Sequence, residues 1–231
     1  KRLRHSLKKR LFSELAPNAV GVVINTEFGP LICDPRDGHV SRQLMKWGRY
    51  NPDEVQRYKK NASGLSTALI VGSHIGALVF QLEECFDEMV CVEANPITHD
   101  LLTKNILMRG LGDKIQCLNV AISDRDSLIP FLCNTENSGG SKIEPVYSDV
   151  DYTYDRPELL MIQAACLDAL YSDRTFDFIL MDIESGEVNA IAGGHELIKR
   201  SSVFVVEYVP NHIKRVANKS ITEFAHALLE L

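Results

Sequence analysis

Residues Ala68 to Glu93, ALIVGSHIGALVFQLEECFDEMVCVE, constrain this chain more than any other stretch. Ala68 to Val71 is a short apolar run, the pattern of a strand buried on both faces. Gly72-Ser73-His74-Ile75-Gly76 follows as a turn. Ala77 to Cys85 then spaces Leu78, Val79 and Leu82 close to a helical period. Met89 to Val92 is a second apolar run, and it ends on Glu93. The order is therefore strand, glycine-rich turn, helix, strand, acid, which is half of a nucleotide-binding unit. Glycines let the backbone approach a ligand. A helix start offers unpaired N–H groups. An acid at the tip of the next strand can accept both hydroxyls of a ribose.

The remaining order extends that unit into an α/β fold. Val20–Ile24 and Pro30–Cys33 flank Asn25–Gly29 as a hairpin would. Val40–Trp47 reads as a helix. Asn51-Pro52-Asp53-Glu54 reads as a second helix start, with Asn51 as cap, running to about Lys60. Asn95-Pro96 opens a helix to about Arg109, closed by Gly110. Strands are expected at Lys114–Val120, Phe176–Met181 and Ser202–Tyr208, with an extra strand at Leu128–Cys133. Helices are expected at Val188–Arg200 and Thr222–Leu231. Alternation of this kind gives a mostly parallel, Rossmann-like sheet with helices on both faces. Residues 1–62 read as an N-terminal cap and 63–231 as the ligand-binding domain. The ligand crevice then lies beyond the strand ends, where Gly72, Glu93, Ala121, Asp182 and Glu207 fall.

The chain has 231 residues, enough for one such domain with an extension. Its formal charge of −6 argues against a broad nucleic-acid face. No apolar run approaches the roughly 18–20 residues of a membrane span. The six cysteines are scattered without a CxxC pair, as in small core residues of a reducing, cytoplasmic protein. That spacing gives no zinc site, and no metal is expected. Lys1–Arg10 carries six Lys or Arg residues. It reads as a solvated lead-in or as a contact to an anionic partner.

Gly72-x-x-x-Gly76 lacks the middle glycine of G-x-G-x-x-G and is a poor pyrophosphate cradle. It suits a ligand with adenosine and no phosphate, such as S-adenosylmethionine, over a nicotinamide dinucleotide. No Asp-Pro-Pro-Tyr-like motif follows the fourth strand, which weighs against methylation of DNA bases.

At this point the chain resembles the FkbM-type methyltransferases, a family of class I S-adenosylmethionine-dependent enzymes. The resemblance runs from Phe28 to Tyr208. It is carried by FGPLICDPRDGHVSRQLMKWGRY, IVGSHIG, CVEANPITHDLLTKNI, LNVAISD, NSGGS, Leu167-Asp168, DIESGE and VVEY. It implies cofactor contacts at Gly72, Ser73, His74, Gly76, Glu93, Ala94, Asn95, Ala121, Ile122 and Asp182. Asn137, Ser138, Gly139, Ser141 and Glu207 would face the acceptor. Ile70 stands where the family usually has an acid, and Ser185 where it usually has Gly. The antiparallel strand pair that normally closes class I sheets is not seen before Leu231. The sequence is therefore read either as truncated or as protecting that sheet edge with the N-terminal hairpin.

Methyl transfer to a neutral oxygen or amide needs a general base. Asp182, Glu184 and Glu187 are the candidates, with Glu207 and His74 beside them; crowding of carboxylates can raise the pKa of one. Each has a plainer reading. Glu187 could simply start a helix, and Glu184 could bond the Gly-Gly loop. His74 could pack in the turn, and the carboxylate trio could hold a divalent ion. Tyr147, Tyr152 and Tyr154 could stack on an acceptor or belong to an exposed loop. The resemblance implies O-methylation of a small molecule, sugar or natural product. N-methylation of a peptide amide and a non-catalytic cofactor-binding domain stay open, as does the oligomeric state.

Overall fold

The computed structural model describes residues 14, 18–147, 156–184 and 186–231. The basic stretch Lys1–Arg10, Tyr152, Tyr154 and Ser185 lie outside the described residues.

Five strands form one parallel sheet: β3 (Thr67–Val71), β4 (Glu88–Val92), β5 (Ile115–Leu118), β10 (Phe178–Met181) and β11 (Val203–Val206). Their order is β11-β10-β3-β4-β5, so the chain reverses direction across the sheet between β3 and β10. Side chains alternate in direction along a strand. Ala68, Ile70, Met89, Cys91, Phe178 and Leu180 accordingly enter one buried cluster, and Leu69, Val71, Val90, Val92, Ile179 and Met181 the other. Both faces are dry, which is why these strands read as continuous apolar runs. Removing a side chain as large as the fully buried Phe178 would cost about 3–5 kcal/mol.

The hairpin β1 (Val22–Thr26) and β2 (Gly29–Cys33) is tighter than its composition suggests, because Asn25 and Thr26 still pair with Pro30 and Gly29. It does not guard the edge of the main sheet: among the described residues its strands pair only with each other. It docks instead on α4 (Pro96–Met108) through the buried Asn105. The Asn105 Oδ1 accepts from the Ile32 N–H at 2.6 Å, while its Nδ2 donates to the carbonyls of Ile32 and Ile75. One amide thus ties the cap to the glycine-rich turn.

Helices α1 (Val40–Trp47) and α2 (Pro52–Asn61) complete the cap. Asn51 precedes α2 as expected, but it is not a side-chain cap. Its φ of 43° places it in the left-handed region, and its amide donates to Glu54. The helix after the turn is also shorter than its periodicity: α3 covers Val79–Leu82 and gives way to a 3₁₀ turn over Glu83–Cys85.

A second sheet joins β6 (Ala121–Ile122), β7 (Ser127–Cys133), β8 (Lys142–Ile143) and β9 (Glu158–Ala165). The extra strand at 128–133 has β9 as its long antiparallel partner. The chain continues through α5 (Leu167–Leu170), α6 (Glu187–Ala192), α7 (His195–Lys199), α8 (Pro210–Arg215) and α9 (Ile221–Leu229). The expected helix over 188–200 is broken at Gly193-Gly194. A Cβ on Gly193 would lie 2.0 Å from the Ser123 carbonyl, so the close approach of that backbone is possible only for glycine. Among the described residues, no helix is long and apolar enough to cross a membrane.

Candidate active site

The strand ends are in register. Met181 pairs with both Val71 and Val206, and Val71 pairs with Val92. The ladder runs one residue further. Gly72 donates to the Val92 carbonyl, Glu93 to Leu118, Asp182 to Val71 and Glu207 to Met181, all at 2.9–3.0 Å. Aligned residues of a parallel sheet share a face. Gly72, Glu93, Asp182 and Glu207 are therefore set in one row at the reversal point, where ligands of open α/β sheets bind.

Gly72 has a φ of +88°, and a Cβ there would lie 1.8 Å from the Asp182 carbonyl. Only glycine lets the turn fold against the Asp182 strand end. Glu93 fixes the other side of the turn. Its Oε2 accepts from the His74 N–H at 2.7 Å, and its Oε1 from the Asn95 N–H and the Thr98 hydroxyl. These three bonds orient the carboxylate and leave one of its roughly four acceptor sites, on Oε2. The His74 Nε2 meets the Ser138 hydroxyl at 2.7 Å, while its Nδ1 is buried without a partner among the described residues.

Two confluent cavities open on this row. The narrow one has about 60 Å³ of free space, between Val92, Glu93, Ala94, Ala121, Ile122 and Phe131. It is too small for a whole nucleoside and suits the edge of an apolar ring. Gly72, His74, Gly139, Asp182 and Glu184 border both spaces. The larger cavity has about 900 Å³, within the range of small-molecule sites.

Three carboxylates meet at the border. Burial, then the charge of Glu184, raises Asp182 to about 7. Burial, then the charge of Asp182, raises Glu207 to about 9. Glu207 is hydrogen-bonded to Asp182, and the two share a proton as one titrating unit. Burial also opposes the charge of Glu184, but a hydrogen bond from His212 and the nearby Lys142 outweigh it and hold Glu184 below the ordinary range. The Lys142 Nζ lies 3.5 Å from the Glu184 Oε2 and is fully buried. Glu184 itself has a φ of 54°, a backbone strained for its residue type and held from both sides by Lys142 and His212.

The structure brings Gly72, His74, Glu93, Ala94, Ala121, Ile122, Ser138, Gly139, Ser141, Asp182 and Glu184 to the narrow cavity, and Ser73, Asn137 and Glu207 to the larger one. It does not bring Asn95, Gly76 or Glu187 to either. Asn95 is fully buried: its Oδ1 caps α4 at Ile97, and its Nδ2 donates to the Ser141 hydroxyl. Gly76 packs behind the turn against Phe80 and Leu102. Glu187 starts α6 and accepts from the Ile183 N–H, as its plainer reading holds. Tyr147 is exposed and reaches Asn218, away from both cavities.

Sequence reasoning missed Tyr50, Glu54 and Tyr58, which line the larger cavity from the cap. It also missed His212 on α8, although Pro210 at the first helical position marks that helix. Nothing in the sequence marks Lys142, which follows a Gly-Gly-Ser loop and reads as a surface residue.

The sequence model of the methyltransferase FkbM domain matches residues 71–231. The chain belongs to the FkbM methyltransferase family. The match begins at the last residue of β3, so the FkbM domain takes in the turn, the row of acids and both faces of the sheet, while the cap precedes it. Comparison with curated proteins gives no match. Solved structures give several distant likenesses. One is a precorrin 8w decarboxylase of Methanobacterium thermoautotrophicum, with 13% identity, 90% of this chain and 80% of that chain covered and a TM-score of 0.49. Another is an O-methyltransferase of Bacillus cereus in complex with SAH, with 15% identity, 78% and 67% covered and a TM-score of 0.45. A third is Trm5 of Methanocaldococcus jannaschii in complex with adenosine, with 14% identity, 80% and 39% covered and a TM-score of 0.41. The FkbM chain thus spans well under half of that last protein.

Proposed function

We propose that this FkbM protein uses S-adenosylmethionine to methylate a hydroxyl group of a small molecule, such as a sugar or natural product. The observation that carries the reading is the position of Asp182. Its carboxyl stands where the two cavities meet, paired with Glu207 and poised near neutral pH.

The residues of the narrow cavity fit an adenosine ligand without phosphates. Glu93 has one acceptor site left, on Oε2, for a ribose hydroxyl, and Ala94, Ala121 and Ile122 offer an apolar wall for the edge of an adenine ring. The Gly72 turn, folded tightly against the Asp182 strand end, lines the same space. The unpartnered His74 Nδ1 supplies a further polar atom beside it. When bound, the cofactor supplies an activated methyl group on a sulfonium, a good leaving group.

What remains for the protein is to position an acceptor and take its proton. Asp182 would receive the hydroxyl proton, at a pKa suited to operation near pH 7. Glu207 holds the pair's shared proton, so that Asp182 keeps one free electron pair toward the acceptor. Glu184 stays ionised through Lys142 and His212, and its charge keeps Asp182 basic. Gly139 borders both spaces, and Ser138 lines the narrow one.

Calorimetry with S-adenosylhomocysteine, with NAD as control, tests the cofactor. Micromolar binding of the first alone is expected. Binding of NAD, or of neither, would end this reading. Incubation with labelled S-adenosylmethionine and an acceptor panel then tests the hydroxyl. A product whose new methyl carbon resonates in the O-methyl range of the carbon NMR spectrum is expected; one in the N-methyl range would contradict O-methylation.

A further inference from the structure

The larger cavity has a charge pattern that bears on its occupant. Five carboxylates from separate parts of the chain line it: Glu54 on α2, Glu136 before the Asn137–Ser141 turn, and Asp182, Glu184 and Glu207 at the strand ends. Among the described residues, no Lys or Arg lines it. Lys142 stands behind Glu184, and Asp182 and Glu207 share a proton, yet the lining keeps a net negative charge. Tyr50, Tyr58 and Tyr208 add aromatic rings. The Tyr208 ring stacks on Phe224 at 5.3 Å, and the Tyr50 main chain is fixed by a 2.9 Å hydrogen bond from the Gln81 amide to its carbonyl.

We infer that the acceptor is cationic: a hydroxyl compound that also carries a protonated amine, held between Glu54, Glu136 and the tyrosine rings. The inference rests on the methyltransferase reading for the chemistry, and on the cavity alone for the charge. An anionic acceptor, such as a phosphorylated sugar or a nucleic acid, would be repelled by every carboxylate within about 8 Å, the screening length at physiological salt. A neutral polyol could bond carboxylates, but it would not offset the charge of Glu54 and of the Asp182–Glu207 pair. A cation relieves that repulsion and gains attraction from aromatic faces. The field acts on the tyrosines too. Burial, then Glu54 and Asp182, raises the Tyr58 hydroxyl to about 12, and burial followed by Asp182 and Glu54 raises that of Tyr50.

In the reaction, the hydroxyl oxygen forms the new C–O bond as the S–C bond breaks and the sulfonium becomes a neutral thioether. The hydroxyl proton passes to the Asp182–Glu207 pair and then to solvent. The amine keeps its proton, because its charge is what the cavity selects.

Charge selection is tested without knowing the natural acceptor. Protein saturated with S-adenosylhomocysteine is titrated at pH 8 with tyramine, 4-ethylphenol and 4-hydroxyphenylacetate, which share a phenol ring and differ in charge. The pH lies above the ordinary imidazole range, because His39, His74 and His212 also face the cavity. Saturation-transfer NMR should show binding of tyramine and none of the anion. The tyramine Kd should rise with added salt, and by about threefold or more in Glu54→Gln and in Glu136→Gln. Absence of tyramine binding, or equal binding of the three phenols, overturns the inference. The salt series on the unaltered protein decides the matter even if a variant folds poorly. S-adenosylhomocysteine binding with no tyramine binding would sink this inference and leave the proposed function standing. Tyramine binding without S-adenosylhomocysteine binding would do the reverse.

Discussion

The backbone N–H of His74 donates to the side-chain carboxylate of Glu93 across 2.7 Å. The acid at the end of one strand therefore holds the turn that leaves its neighbour, and Glu93 and the glycine turn act as one unit.

Replacing Glu93 with alanine should weaken S-adenosylhomocysteine binding by about 1–3 kcal/mol, because a charge-assisted acceptor is lost and the His74 and Asn95 N–H groups lose theirs. Glu93→Gln, which keeps an acceptor oxygen, should fall between. Calorimetry on the three proteins checks this, and unchanged affinity in Glu93→Ala would mean that the ribose is held elsewhere.

Gly72→Ala should disrupt the site far more than its size suggests, since the new methyl would sit 1.8 Å from the Asp182 carbonyl at a φ of +88°. A loss of more than about 2 kcal/mol in urea unfolding is expected. Gly112 has open space around it, so Gly112→Ala should change stability by less than about 1 kcal/mol. Equal effects of the two substitutions would show that the close approach is not what fixes Gly72.

The Asp182–Glu207 pair should give activity and stability opposite pH trends. Turnover needs Asp182 deprotonated and should rise as pH rises through about 7. Both carboxyls have folded-state values above their ordinary 3.8 and 4.5, so the folded protein holds more protons than the unfolded chain. Their contribution to stability is full below about pH 4 and is lost as pH rises through about 7 to 9. Asp182→Asn should bind S-adenosylhomocysteine normally, lose about 100-fold or more in turnover, and flatten this part of the stability profile. Unaltered turnover would remove Asp182 from the mechanism.

Lys142→Met should leave Glu184 half-buried without its cation and destabilise the protein by up to about 3 kcal/mol. Adding Glu184→Gln to it should restore part of that loss. Additive losses in the two single variants and the double one would show that Lys142 and Glu184 are not coupled.

The main sheet was legible because its three central strands are buried on both faces and read as apolar runs closed by a polar tip. Gly72, Glu93 and Asp182 follow from the same logic. The strand Glu158–Ala165 was not legible. Its run ELLMIQAA has no period that separates strand from helix, and its partner lies about thirty residues earlier in the chain. Asn95 was placed by sequence order beside adenosine, yet its two side-chain groups are consumed by the α4 cap and Ser141. Local spacing cannot show that competition. Tyr50 and Tyr58 were invisible as cavity residues for a related reason: α2 has a polar surface pattern, and only the docking of the cap gives it an inner side.

That docking has an evolutionary consequence. Tyr50, Glu54 and Tyr58 all precede residue 71, where the FkbM match begins, and Asn105 is a principal hinge pin between the two parts. On the proposed reading, part of the wall that faces the acceptor is thus written in a separate stretch of sequence from the row of acids, while Glu136 and Tyr208 lie within the match. A lineage can rewrite the first while leaving the second untouched, and a cap grafted from a relative should carry its taste in acceptors with it.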